Sequence, residues 1–202
     1  MIEKILNKFK NDGVVIFKNF FDESVINEIN FKINKYFIKN NEVEFLRIDK
    51  LFELGIIEKI LNNKLRNLIY HIIPDGILYR FHIVKTPGKQ NDPWFNPNTK
   101  FGSWHIDRKV NGDKGYNFVD FYIYLSNVEI DGGGYAYFPH SKIINKADIN
   151  KSKRVITGKA GTAFLARVDW PHSATVNKNQ KDRIMLRISL QKNYLHNSEL
   201  EE

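Results

Sequence analysis

A chain of 202 residues is long enough to bury the core of one domain, so its stability does not require a disulfide or a metal. Cysteine is absent, which excludes a disulfide framework, a thiolate nucleophile and a thiolate metal site. The net charge of +8 comes from lysines scattered among asparagines, which favours an ordinary charged surface over a nucleic-acid-binding face. The sequence does not indicate the oligomeric state. No apolar run approaches the roughly 20 residues of a membrane span, so we expect a cytoplasmic protein without membrane partners.

The N-terminal part of the chain has helical periodicity. Residues 2–9 form an amphipathic pattern, and the β-branched run 14–17 predicts a short strand. Asp22 is a candidate N-cap for a second helix, and a third helical stretch follows that is interrupted near Gly55. Residues 1–75 are therefore predicted to form a mostly helical scaffold without chemistry of its own.

From Gly76 onward the apolar period changes to two, as in strands that are buried on one face. The predicted strands cover residues 77–85, 101–107, 117–128, 135–138, 154–156, 163–167 and 183–191. Several short strands separated by Gly-rich turns indicate a β-sandwich or barrel and not a parallel α/β sheet. We predict one domain over residues 1–202, with a β core over 76–195.

Two loops are candidates for control of access to a site. The loop 86–100 is rich in Pro, Asn and Gly, yet it also contains Trp94 and Phe95. A loop of this length inside a compact domain is often functional, so we predict a lid. The segment 111–116 is the second candidate.

A histidine and an aspartate lie two positions apart in the predicted strand 101–107. The side chains of His105 and Asp107 leave an extended backbone on the same side, where they can bind one divalent metal. His172, 67 residues further along, is the best third ligand. Two histidines and one carboxylate form the facial triad of non-haem Fe(II) oxygenases, which leaves coordination sites open. Arg183, eleven residues after His172, is placed to bind a carboxylate, and Arg187 on the same strand face is the alternative.

The order of these motifs resembles the phytanoyl-CoA dioxygenase family of Fe(II)- and 2-oxoglutarate-dependent oxygenases. The similar blocks are residues 9–20, 85–88, 104–107, 124–128 and 133–139, followed by His172, Asn177 and Arg183. The resemblance extends over nearly the whole chain. Two departures lie outside the candidate site, where His140-Ser141 replaces Gly-Ser and Gly161-Thr162 replaces Gly-Asp.

The resemblance implies a double-stranded β-helix, a cupin-like jelly roll with helices packed on one sheet. It also implies that His105, Asp107 and His172 bind Fe(II), and that Arg183 binds the distal carboxylate of 2-oxoglutarate. Tyr122 and Phe81 fall where further co-substrate contacts are expected. O₂ is the other co-substrate, and the products are succinate, CO₂ and a hydroxylated small molecule.

Several alternatives remain open at the level of the sequence. Asp107 is present, whereas related halogenases replace this carboxylate with a small residue, so hydroxylation of an aliphatic C–H is favoured over halogenation. The same site can also catalyse desaturation, epimerisation or cyclisation. From another class, the chain could be a jelly-roll module that binds a metal or a ligand without oxygenase turnover. We expect the substrate to be a compact metabolite.

Overall fold

The computed structural model describes residues 2–40, 44–90, 104–107, 118–139 and 153–192. Most of the predicted lid, including Trp94 and Phe95, lies outside the described residues, as does the segment 111–116. The lid therefore stays a prediction. In the part of the chain that is described, every helix is too short or too polar to cross a bilayer.

The described residues form five helices, and each follows the apolar periodicity of the sequence. They are α1 (Ile2–Asp12), α2 (Glu23–Lys39), α3 (Ile48–Glu53), α4 (Ile57–Ile60) and α5 (Asn63–Ile72). On α2, Ile26, Ile29 and Ile33 recur at three- and four-residue intervals and are buried. Gly55 has a φ of +61°, a left-handed conformation that suits glycine, and it separates α3 from α4. The predicted interruption of the third helical stretch is thus confirmed.

In the described ranges, nine strands form two antiparallel sheets. The strands are β1 (Val14–Phe17), β2 (Phe45–Leu46), β3 (Gly76–Thr86), β4 (Phe118–Tyr124), β5 (Tyr135–Tyr137), β6 (Arg154–Ile156), β7 (Ala163–Arg167), β8 (His172–Ala174) and β9 (Arg183–Lys192). The large sheet has the order β1-β7-β4-β9-β3-β2, and the small sheet has the order β6-β5-β8. Both edge strands of the large sheet come from the N-terminal part of the chain, which is therefore more than a helical scaffold.

Two strand predictions differ from the structure. In the described part of the predicted strand 101–107, only His105 pairs, in an isolated bridge with His172. His172 itself begins β8, a three-residue strand that carries too little periodicity to be recognised in the sequence. Tertiary pairing, and not local propensity, decides both segments.

The two faces of the large sheet support different layers. The helices cover one face, where Ile83, Phe121 and Ile188 join the apolar core with the helices. The small sheet packs over the opposite face, where Tyr135 and Tyr137 contact a second apolar cluster that includes residues of β4 and β7. This arrangement is a jelly roll with helices on one sheet, and the predicted fold class is confirmed.

Candidate metal centre

A backbone bridge brings the two predicted histidine ligands together. The amide of each histidine donates to the carbonyl of the other, at 3.0 Å in both directions, and the Asp107 amide donates to the Val168 carbonyl at 3.0 Å. Directly opposed residues in an antiparallel pair place their side chains close together, so the imidazole centroids of His105 and His172 lie 4.4 Å apart. A pairing between distant segments therefore builds the site.

The three predicted ligands present donor atoms to one point. Asp107 Oδ1 lies 3.1 Å from His105 Nε2 and 3.5 Å from His172 Nε2, and one ligand atom from each residue lies within 4.8 Å of the others. Adjacent ligands that each lie about 2.1 Å from an octahedral metal are about 3 Å apart, so these spacings fit one divalent ion. Two imidazole nitrogens and one carboxylate oxygen suit Fe(II).

The contacts of His172 determine which of its nitrogens is free. Its Nδ1 lies 2.9 Å from the carbonyl oxygen of Trp170, which can only accept a hydrogen bond. In the neutral ring the proton therefore sits on Nδ1, and the Nε2 lone pair points towards the other ligands. Tyr135 stacks on the imidazole with an interplanar angle of 13°.

Trp170 is held in turn by the start of β1. Gly13 has a φ of +72°, and a Cβ at this position would lie 2.3 Å from the Trp170 ring. The guanidinium of Arg167 also lies over the Trp170 ring, 5.0 Å from the ring centroid. The Arg167 side chain pairs with Asp169. Gly13 thus leaves room for the Trp170 ring, which lies in the turn that positions His172.

The carboxylate of Asp107 is divided between two sets of partners. Its Oδ1 faces the histidines, while Oδ2 accepts a hydrogen bond from Arg187 Nη2. Burial pushes the pKa of Asp107 up, but the close imidazoles of His105 and His172 and the charge of Arg187 outweigh burial and lower the pKa overall. The carboxylate stays ionised, as a metal ligand must.

Arg187 is fully engaged by carboxylates. Its Nε donates to Asp120 Oδ2 at 2.5 Å, and Asp120 is completely buried. Burial alone would lower the pKa of Arg187, but Asp120 and its other anionic neighbours raise it well above the ordinary value. The hydroxyl of Tyr122 also donates to Asp120 Oδ2, at 2.7 Å. Burial raises the Tyr122 pKa, so this hydroxyl keeps its proton and serves Asp120.

Arg183 has a different environment. It is 4% exposed, its Nη1 donates to the Gly133 carbonyl, and its Nη2 donates to Thr86 Oγ1 at 2.7 Å. Its Nε has no hydrogen-bond partner, and no carboxylate of the described residues pairs with it. Burial lowers the pKa of this guanidinium, which indicates a desolvated cation without a counter-ion.

Asn177, which falls at a motif position of the sequence, has a structural role. Its side-chain nitrogen donates to the carbonyls of Pro87 and Lys181, at 3.1 and 3.0 Å. It thereby joins the end of β3 to the turn before β9. Thr86 and Arg183, which contact each other, lie on these two segments.

A cavity of about 850 Å³ opens beside the candidate histidine ligands and the two arginines of β9. Its lining includes His105, His172, Arg183, Arg187 and Tyr122. Tyr122 lines the cavity while its hydroxyl serves Asp120, and its predicted contact with the co-substrate stays a prediction.

Phe81 is one of the residues that line the cavity, and it also belongs to the apolar core under the helices. Its contact with the co-substrate stays a prediction. Its neighbour His82 is opposite Arg187 in the register and faces the cavity.

Sequence reasoning missed two functional neighbours, Asp120 and Thr86. Asp120 holds Arg187, and Thr86 holds Arg183. Both lie on the cavity face of their strands, because Asp120 is two residues from Tyr122 on β4 and Thr86 is two residues from Val84 on β3. The sequence did contain a signal, namely a polar residue among the apolar residues of a strand. Such a residue is rarely buried without a hydrogen-bond partner, so it predicts one.

The sequence matches no family model and no curated protein. Solved structures share its fold. EvdMO1 is 14% identical with a TM-score of 0.74, over 95% of this chain and 50% of EvdMO1, so the chain spans half the length of that relative. EctD from S. alaskensis, solved with bound Fe, is 11% identical with a TM-score of 0.74, over 93% of this chain and 75% of EctD.

A third similar structure is SnoN, a non-heme alpha ketoglutarate dependent epimerase from nogalamycin biosynthesis. It is 12% identical with a TM-score of 0.68, over 95% of this chain and 82% of SnoN. At such identities the likeness establishes a common fold.

Proposed function

We propose that this protein is an Fe(II)- and 2-oxoglutarate-dependent dioxygenase that hydroxylates an aliphatic C–H of a small molecule. The observation that carries the proposal is Arg183, a buried cation without a carboxylate partner among the described residues, which lines the same cavity as the candidate metal ligands. A buried guanidinium is costly unless an anion pairs with it, so its cavity is built for a carboxylate.

His105, Asp107 and His172 would hold the metal, and Arg183 would bind the distal carboxylate of 2-oxoglutarate. Bound iron, with 2-oxoglutarate and O₂, supplies the oxidation that yields succinate and CO₂. The chain's own residues position these groups. Arg187 holds Asp107 Oδ2, which leaves Oδ1 for the metal.

The two arginines of β9 are distinguished by their partners. Arg187 pairs with both Asp107 and Asp120, so binding a co-substrate carboxylate there would compete with two anions. Arg183 has no such competitor among the described residues and already presents an unpartnered Nε–H. Its planar donors suit a bidentate carboxylate. We therefore assign the clamp to Arg183.

The reaction type and the family remain part of the proposal. EctD has been solved with 2-oxoglutarate and 5-hydroxyectoine, and SnoN is an epimerase, so proteins of this fold differ in outcome. We favour hydroxylation because Asp107 occupies the position that halogenases leave to chloride. The motif order supports a relation to the phytanoyl-CoA dioxygenases.

The direct test is turnover of 2-oxoglutarate by the purified protein. With Fe(II), O₂ and a panel of small metabolites, we expect substrate-stimulated release of succinate that is abolished by a chelator. Zn(II) in place of Fe(II) should bind without turnover, because zinc has no redox chemistry. A protein that binds metal yet releases no succinate with any metabolite would instead be a binding module.

Arg183→Gln tests the clamp. Loss of a buried charged pair should weaken 2-oxoglutarate binding by about 100-fold while metal binding is kept. The matched control is Arg66→Gln, which removes an exposed arginine of α5. Unchanged affinity for 2-oxoglutarate in Arg183→Gln would contradict the assignment.

A further inference from the structure

Two more arginines lie at the outer part of the cavity, on neighbouring segments. Arg80 is on β3, and Arg47 directly follows β2, whose Leu46 pairs with Ile83. If this register is extended by one residue, Arg47 lies beside His82. His82 is two residues from Arg80 on the same strand. Both arginines line the cavity and are exposed to solvent.

A β-bulge aims Arg80 and its neighbour at the cavity. The register between β3 and β9 shifts between Leu78 and Arg80, so Tyr79 is the extra residue. A bulge turns consecutive side chains towards one side of a sheet, and both Tyr79 and Arg80 line the cavity. The guanidinium of Arg80 lies 5.7 Å from the centroid of the Tyr79 ring.

The inner charges of the site balance without these two arginines. The two carboxylates Asp107 and Asp120 equal the two cations Arg183 and Arg187 in number, although both carboxylates pair with Arg187, so the net charge of these four groups is zero. A ferrous ion and dianionic 2-oxoglutarate, as in the proposed function, would then cancel each other. Arg47 and Arg80 form no ion pair with the described residues, so two positive charges remain at the outer part of the cavity.

His82 reports this excess of positive charge. Burial, followed by the charges of Arg187, Arg80 and Arg47, lowers the pKa of His82 to about 4. The imidazole is therefore neutral at pH 7. Three guanidiniums act on one side chain, which places Arg47 and Arg80 within electrostatic reach of the same space.

Apolar side chains form the rest of the outer wall. Phe45, Ile48, Val84 and Met185 line the cavity near the arginines. Apolar walls lower the local dielectric and strengthen the attraction between an arginine and an anion. The lining thus combines an apolar surface with two uncompensated cations.

We propose that the substrate is a small organic anion, with an apolar body and a carboxylate or phosphate group that pairs with Arg47 and Arg80. The proposal rests on the proposed function, because it assigns the anionic end of the substrate to the outer cavity and its body to the space near the metal ligands. It adds to that function the charge and polarity of the substrate.

The test uses three probes of equal chain length: hexanoate, hexyl phosphate and hexan-1-ol. Their affinities for the protein loaded anaerobically with Fe(II) and 2-oxoglutarate are measured by ligand-observed NMR. We expect both anions to bind at least about tenfold more tightly than the alcohol, with the advantage reduced between 25 and 250 mM salt because exposed charges are screened. The ratio of the two anions distinguishes a carboxylate site from a phosphate site.

Variants test whether Arg47 and Arg80 are the residues that bind the anion. Arg47→Gln and Arg80→Gln should each weaken anion binding about fivefold or more and leave hexan-1-ol unaffected, whereas Arg66→Gln should change neither. Arg47→Lys with Arg80→Lys keeps the charge and should retain most of the salt dependence. Equal affinity for the alcohol and the anions, no binding of either anion, or variants that behave like Arg66→Gln would overturn the proposal.

A failure of the proposed function can be distinguished from a failure of the substrate inference. Binding of Fe(II) and 2-oxoglutarate is measured in the same samples without a probe. If neither binds, the proposed function fails, and the probes are then tested on the metal-free protein, where loss of anion binding in Arg47→Gln and Arg80→Gln would still support the outer site. If both bind and the probes do not discriminate, only the substrate inference fails.

Discussion

The two faces of the large sheet differ in what they do, although the same strands form both. On β3, Phe81 and Ile83 point into the core under the helices, while His82 and Val84 line the cavity. Adjacent residues therefore belong to different layers. The helix face contributes apolar burial, and the cavity face contributes charge. Substitutions on the two faces should separate stability from binding.

Removal of a metal ligand should have the largest effect on the cavity face. We expect His172→Ala to weaken metal binding by at least about 100-fold, because only two of the three ligands remain. Metal content after equilibrium dialysis measures this. His71→Ala, an exposed histidine of α5, is the control. Retention of stoichiometric metal by His172→Ala would remove the assigned centre.

The ion pair between Arg187 and Asp120 tests whether charge on the cavity face also affects stability. Arg187→Met leaves the buried Asp120 carboxylate with only Tyr122, and should cost about 3–5 kcal/mol of unfolding free energy. Adding Asp120→Leu should recover most of this loss, because the fully buried carboxylate is then no longer left without its cation. Denaturant unfolding compares the variants. A double variant as unstable as Arg187→Met would contradict this account.

Neighbouring apolar residues of β3 sharpen the comparison between the faces. Ile83→Ala removes a fully buried side chain from the helix-facing core and should cost about 2–5 kcal/mol. Val84→Ala removes less apolar surface, beside the cavity, and should cost about 1 kcal/mol. Chemical denaturation measures both. Equal losses would mean that the two faces contribute alike to the core.

The last expected effect is a pH dependence of stability that comes from His82. Its pKa is about 4 in the folded protein and 6.5 in a model peptide, so the unfolded chain binds the proton more readily. The neutral form therefore stabilises the fold above pH 6.5, and this contribution, about 2–3 kcal/mol, is lost between pH 6.5 and 4. In His82→Gln the unfolding free energy should fall less over this range. Parallel pH profiles would rule out the contribution.

Much of the fold follows from local periodicity. The helices and most strands lie close to their predicted positions, because apolar spacing and turn residues act over a few residues. The segment 104–107 and β8 could not be assigned this way. Each is too short to show a period, and their pairing joins residues 67 positions apart.

The candidate site likewise has a part that the sequence predicts and a part that it does not. The ligand set His105, Asp107 and His172 was predicted from residue type, spacing and motif order, and the structure brings the three side chains together. The sequence could not distinguish the surroundings of Arg183 from those of Arg187, since both lie on one face of β9. Their partners, Thr86 in one case and Asp120 in the other, come from other strands.

The sequence by itself determined which residues can bind a metal and which face of each strand is apolar, because side-chain chemistry and strand parity are local properties. Only the tertiary structure decided that Asp120 neutralises Arg187 and that Arg183 has no carboxylate partner among the described residues. It also placed the side chain of Phe81 in the core and Arg47 beside the cavity. Charge compensation depends on distances across strands, and the register of the sheet sets those distances.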